Sequence, residues 1–277
     1  MTMRRYSVSL AASALVLAAA ASTSSAQAFR SDANFTTSSL PANDDGSTGL
    51  VNLGLTANLF GSSYTQAYLN NNGNITFTGP LSTYTPFGLT GGGVPPIIAP
   101  FFADVDTRGA GSALMTYGTG TVNGHNAFGV DWNGVGYYGS HTDKLNVFQL
   151  VLIDRSDITA GDFDFEFNYG PMLWETGDAS SGSGGFGGSC ATAGYSNGLS
   201  SPGNVSYELP GSHTCGALID GGANSLSAGM FNSNQAGRYL FEVRNGQVTN
   251  TVPEPSSLAL LGSGIFGLVP MLRRRKS

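Results

Sequence analysis

Ile97-Ile98-Ala99-Pro100-Phe101-Phe102-Ala103-Asp104-Val105-Asp106-Thr107-Arg108 is the stretch on which the reading of this chain turns. Its first seven residues carry no charge and include a proline, so the run fits a buried strand better than a helix. It ends in two carboxylates flanking Val105. In extended backbone, residues i and i+2 share a face about 6 to 7 Å apart. Asp104 and Asp106 are therefore expected to point the same way, as two metal ligands or two catalytic acids do. Arg108 stands two residues beyond Asp106 and offers it a local ion pair. The expectation is architectural: a buried strand from Ile97 to Ala103 that turns at Asp104 to Arg108 under charge pairing. Asp104 and Asp106 are the calcium candidates should the protein hold a cation.

Before this stretch, Tyr64 to Leu69 and Ile75 to Phe77 flank Asn70-Asn71-Asn72-Gly73-Asn74. Asn and Gly tolerate positive φ, so the pattern predicts a hairpin. Gly79 to Pro96, with Gly91-Gly92-Gly93 and Pro95-Pro96, reads as a flexible connection. Without a following lysine its glycines are no phosphate cradle. After the stretch, Ala127 to Trp132 and Asn146 to Ile153 read as strands, the second apolar enough to be covered on both faces. Phe163, Phe165, Phe167 and Tyr169 alternate with Asp162, Asp164, Glu166 and Asn168, a period of two that sends the rings to the core and the acids to solvent. Ser180 to Ser189 is almost pure Gly and Ser around Phe186 and reads as a flexible surface insertion. A last strand is expected over Tyr239 to Val243.

The fold class expected is mainly β. A single antiparallel β-sandwich-like domain over 50–245, with long Gly/Ser-rich loops, is flanked by an N-terminal signal helix and a C-terminal transmembrane helix. A flexible leader, 29–49, precedes the domain and a linker, 246–251, follows it.

Composition supports this class. Only 11% of the 277 residues are charged and 40 are glycine, against about 25% and about 7% in ordinary domains. Arg4 and Arg5 leave with the signal and Arg273 to Lys276 with the tail. Six of the 12 basic residues then remain against 17 of the 18 acidic ones, a net charge of −11. So acidic a surface repels nucleic acid and anionic lipid. Neutral glycans, cations and other proteins are the partners it admits. Cys190 and Cys215 are the only cysteines of an exported chain and most simply pair with each other.

Both ends carry addresses. Met1 to Ala28 has a charged start, an apolar run from Val8 to Ala21 and a small-x-small site at Ala26-Gln27-Ala28, the pattern of a secretory signal peptide read by the Sec machinery. At the other end Val252-Pro253-Glu254-Pro255 precedes an uncharged, mostly apolar segment, 256–272, about the minimum for a membrane span. Arg273, Arg274, Arg275 and Lys276 follow at once and hold that end on the cytoplasmic side. These three features resemble the PEP-CTERM sorting tail of Gram-negative bacteria. The resemblance implies transient anchoring in the inner membrane, recognition and cleavage by an exosortase, and export to a surface or extracellular matrix rich in exopolysaccharide.

The middle of the chain resembles the nidogen-like (NIDO) extracellular domain. The matching residues are Asn71 to Phe77, Ala99 to Arg108, Asp131 to Tyr138, then His141, Asp143 and Lys144 before Asn146 to Leu150. Leu173 to Ala179, Ala193 to Tyr195, Leu209 to Ser212 and Gly237 to Phe241 complete the series. The resemblance implies an extracellular adhesion or matrix module with no catalytic constellation, binding exopolysaccharide or surface proteins.

Catalytic readings are weighed on the same residues. The chain has three histidines, His125, His141 and His213, and neither G-x-S-x-G nor H-E-x-x-H. Ser140, His141 and Asp143 lie too close in sequence to converge as a triad. The best enzymatic alternative is a two-carboxylate glycan hydrolase acting on matrix polysaccharide. It would draw on Asp104, Asp106, Asp131 and Glu175, with Trp132, Tyr137, Tyr138 and Trp174 stacking on sugar. A calcium-dependent adhesin is a further alternative. The reading adopted is non-enzymatic, with no cofactor required beyond a possible Ca²⁺.

Overall fold

Apolar alternation broken by Gly- and Asn-rich turns yields fourteen strands joined by long loops within residues 28–249, which are those the computed structural model describes. In chain order they are β1 (Ser38–Ser39), β2 (Val51–Leu59), β3 (Ser62–Asn70), β4 (Asn74–Thr76), β5 (Ile97–Phe102), β6 (Val105–Asp106) and β7 (Thr116–Val122). There follow β8 (His125–Tyr137), β9 (His141–Asp154), β10 (Phe163–Tyr169), β11 (Thr192–Ser196), β12 (Ser206–Glu208), β13 (Arg238–Arg244) and β14 (Gln247–Thr249). One sheet runs β1-β7-β8-β9-β10-β13-β14, with β6 also paired to β8. The other runs β12-β11-β5-β4-β3-β2. All these pairings are antiparallel.

The sheets meet face to face through aromatic residues. Phe101 on β5 lies 5.4 Å, ring to ring, from Phe148 on β9, and Tyr195 on β11 packs edge-on at 5.8 Å against Phe165 on β10. β5 is buried at every position and sits between β4 and β11, as the apolar run predicts. The hairpin at Asn70 to Asn74 forms, with Gly73 at φ +74°. A Cβ there would stand 1.8 Å from the Phe101 carbonyl oxygen, so only glycine fits the turn.

The outer faces depart from expectation because segments read as loose cover them. Residues of the expected leader pack onto β7 and β8. Phe35, in a short 3-10 helix (Ala33–Thr36), is fully buried over glycines, and a Cβ on Gly129 would meet its ring at 2.3 Å. The connection before β5 is likewise no bare tether. Its buried Leu89 and half-buried Phe87 cover the outer face of β5, Phe87 lying 4.9 Å edge-on from Phe102. Within the expected linker, Gln247 to Thr249 form β14 against β13.

The alternating strand β10 sends its four rings inward as expected, but its acids are not solvated. Asp162, Asp164 and Glu166 are buried. Four arginines lie over the row: Arg30 binds Glu166 at 2.6 and 2.7 Å, Arg155 and Arg244 bind Asp164 at 2.9 and 2.7 Å, and Arg238 approaches Glu166 at 3.7 Å. Arg30 arrives from the first described residues and Arg238 and Arg244 from β13, contacts a strand's own period cannot reveal.

The expected signal segment, Ala28 apart, and the expected transmembrane helix at 256–272 lie outside the described residues. Among the described residues no helix is long and apolar enough to cross a membrane.

Candidate functional site

β5 stops at Phe102 and β6 begins at Val105, so Asp104 falls in a break between two strands that pair into different sheets. The break corrects the expectation of two carboxylates acting as one pair. Asp106 accepts from Arg108 Nε at 2.9 Å and Nη2 at 2.6 Å, and from the Ser140 backbone N–H at 2.8 Å. Burial opposes its ionisation, but the bonds from Arg108 and Ser140 outweigh that and hold its carboxyl below the usual range. The expected ion pair thus forms.

Asp104 turns instead toward Asp44 and Asp45, which the sequence reading did not single out. One carboxylate oxygen from each lies within 4.8 Å of the others. Asp104 is fully buried and neither of its carboxylate oxygens has a hydrogen-bond partner; Asp44 Oδ1 is also buried and unpartnered. Burial, reinforced by Asp44, Asp45 and Asp106, pushes the Asp104 carboxyl up to about 8. Asp44 rises to about 6, from burial first and then from Asp106 and Asp45, with Arg108 pulling the other way.

The hairpin asparagines hold the cluster in place. Asn71 Nδ2 donates to the Asp44 and Val105 carbonyls, each at 2.5 Å. Asn72 Nδ2 donates to Asp45 Oδ1 at 2.8 Å, while its Oδ1 accepts from the Val105 N–H at 2.9 Å. Gly177 closes the far side, where a Cβ would stand 2.2 Å from Asp104 Oδ2. The only sequence signal for Asp44 and Asp45 is the turn Asn43-Asp44-Asp45-Gly46, which resembles many surface turns.

The other candidate acids do not join this cluster. Asp131, on β8, accepts from Gln149 Nε2 at 2.8 Å and is pushed up to about 7 by burial against that hydrogen bond. Both oxygens of Glu175 accept from the Gly216 N–H, at 2.7 and 2.8 Å, and burial raises its carboxyl. Gly216 adjoins Cys215, which is bonded to Cys190 with the Cα atoms 5.3 Å apart. The Gly/Ser run before Cys190 is tied down, correcting its reading as a loose insertion. Glu175 N–H donates to the Gly185 carbonyl at 2.9 Å and Thr176 Oγ1 to the Ser189 carbonyl at 2.9 Å.

The sugar platform that the glycan-hydrolase alternative would require is not presented at the surface by Trp132, Tyr137, Tyr138 and Trp174. Trp132 and Trp174 are fully buried and Tyr137 is 1% exposed, leaving Tyr138, at 36%, as the one open ring of the four. Asp143 accepts from Tyr137 Oη at 2.9 Å and from Lys144 Nζ at 2.5 Å, so it is not paired as a triad acid. The apolar depression lined by Tyr207, Leu209, Met230, Phe231 and Tyr239 contains no carboxylate or histidine.

Comparison with known proteins identifies the family of the domain. A model described as the nidogen-like domain matches residues 65–121 and 113–245. The chain belongs to the nidogen-like domain family. Alpha-tectorin of Homo sapiens is 35% identical over 201 residues, covering 63% of this chain and 9% of its own length. Alpha-tectorin of Gallus gallus is 31% identical over 249 residues, 80% of this chain and 11% of its own length. Nidogen of Drosophila melanogaster is 28% identical over 158 residues, 48% of this chain and 11% of its own length. The chain thus spans about a tenth of the length of these relatives. No solved structure matches. A second model, the PEP-CTERM protein-sorting motif, matches 251–276, outside the described residues. A nidogen-like domain carrying this motif is an exported, cell-surface or extracellular protein.

Proposed function

We propose that this is a bacterial cell-surface or matrix protein whose nidogen-like domain is a non-enzymatic interaction module. Its tail, with Val252, Pro253, Glu254, Pro255, Arg273, Arg274 and Arg275 as the address, is read by an exosortase after export by the Sec route. The observation that carries the reading is the joining, in one chain, of an extracellular domain family and a sorting motif at its end. The acidic charge of the body supports neutral exopolysaccharide or other surface proteins as the partners, since anionic polymers are repelled.

The candidate acids support a non-catalytic role. A glycosidase needs two carboxyls about 5 to 9.5 Å apart across an open cleft. Here Asp106 is clamped by Arg108, Glu175 is spent on a backbone amide, and Asp104 and Asp131 are buried. Deletion of 252–277 in the host tests the sorting: the expected result is loss of the protein from the cell surface, and unchanged display sinks it. The purified protein incubated with host exopolysaccharide tests the rest. No chain shortening is expected, whereas cleavage abolished by Asp104→Asn would establish the hydrolase.

A further inference from the structure

Asp104 poses an electrostatic problem that its neighbours aggravate. A buried carboxylate is ordinarily matched by hydrogen-bond donors or an opposite charge, yet both of its oxygens lack a partner and the nearest charged groups include Asp44, Asp45 and Asp106. With all four acids ionised, they and Arg108 would leave an excess of three negative charges, which the fold relieves by raising the Asp104 and Asp44 carboxyls. Arg108 is already committed, to Asp106 at 2.6 Å and to Asp44 Oδ2 at 2.8 Å. The arrangement is nonetheless built, because Asn71 and Asn72 tether the turn bearing Asp44 and Asp45 to the backbone at Val105.

We propose that Asp44, Asp45 and Asp104 form a binding site for a divalent cation of the calcium class. The donors are all hard carboxylate oxygens, the chemistry that selects Ca²⁺ over Zn²⁺. The three carboxylates provide three to four of the roughly six to eight oxygens Ca²⁺ takes, since Arg108 holds Asp44 Oδ2 and Asn72 holds Asp45 Oδ1, and backbone carbonyls and water complete such shells. Asp44 and Asp45 are half-buried and give the ion its way in from solvent, while Asp104 forms the floor. Gly177 is a positioning residue, since any side chain there would displace Asp104 Oδ2. Asp106, which the sequence pairs with Asp104, is no ligand because Arg108 and Ser140 occupy it. The ion joins the segment before β2 to the start of β6 and so locks the opening of the chain onto the body of the fold. The proposal is independent of sorting and of any partner at the surface.

The test uses the full-length chain in detergent, stripped with EDTA and titrated with CaCl₂ at constant ionic strength. Expected is one tight Ca²⁺ by calorimetry and a rise in Tm of about 5 to 10 °C at a hundredfold excess over Kd. Asp104→Asn keeps the shape but removes the anionic ligand at the floor of the site. In EDTA it melts above the wild type, and CaCl₂ does not raise it further. Asp45→Asn, at a half-buried position and with an amide oxygen that can still accept from Asn72, weakens Ca²⁺ binding by at least about tenfold. Identical wild-type melting in EDTA and CaCl₂, or a full calcium response retained by both variants, overturns the site. A response to MgCl₂ equal to that for CaCl₂ overturns the choice of ion.

Discussion

The phenol of Tyr169, on β10, donates a 2.6 Å hydrogen bond to the backbone carbonyl of Pro100, on β5, and so crosses from one sheet to the other. Tyr169 is 2% exposed, and burial, with a lesser contribution from Tyr239, raises its ionisation well above the usual tyrosine value. The bond therefore persists at any ordinary pH.

Tyr169→Phe keeps the ring and leaves the Pro100 carbonyl without this donor. The expected loss is about 1 to 3 kcal/mol, read as a lower urea midpoint with an unchanged m-value. A midpoint equal to the wild type would mean that water or a neighbour replaces the donor.

The opening segment makes a second prediction. Phe35 fills a seat made possible by Gly129, and it packs with Val122, Ala127, Val151 and Ile153. Phe35→Ala is expected to cost about 3 to 5 kcal/mol and to expose residues before β2 to protease. Gly129→Ala should act in the same direction, because its methyl would enter the Phe35 ring. Wild-type protease resistance in both would show that the segment is dispensable.

Asp131 predicts a pH dependence of definite sign. The fold raises its carboxyl from about 3.9 in the unfolded chain to about 7. Below pH 4 both states are protonated and the group costs nothing. Between pH 4 and 7 the unfolded chain ionises and the folded one does not, so stability falls as pH rises, and above 7 the full cost remains. Asp131→Asn should flatten the loss of stability between about pH 4 and 7, measured by urea melts at each pH. An unaltered slope would assign the loss to other carboxyls.

The bond between Cys190 and Cys215 closes a loop of sequence separation 25 around the Gly/Ser run. Cys190→Ser with Cys215→Ser is expected to lower stability by roughly 3 to 4 kcal/mol. It should also open the run to proteolysis, since Glu175 grips Gly216, the residue after Cys215. Equal midpoints for the oxidised wild type and the double variant would count against this.

The sequence by itself determined the elements whose cause is local. A strict period of two placed Phe163, Phe165, Phe167 and Tyr169 in the core, the Asn-Gly turn made the hairpin, and an unbroken apolar run made β5 a buried strand. It also determined the cysteine pair, since two thiols leave one pairing. What only the tertiary structure decided is the fate of the charges. Asp164 and Glu166 alternate as solvated acids would, yet lie under arginines brought in from before β1 and from β9 onward. Asp104 and Asp106 look like a pair, yet one is neutralised by Arg108 and the other faces Asp44 and Asp45 from a distant turn. Hydrophobic periodicity depends on which side of its own strand a residue occupies, which the chain writes locally. A carboxylate's chemistry depends on burial and on charges within a few ångströms, and those arrive only when distant segments fold together.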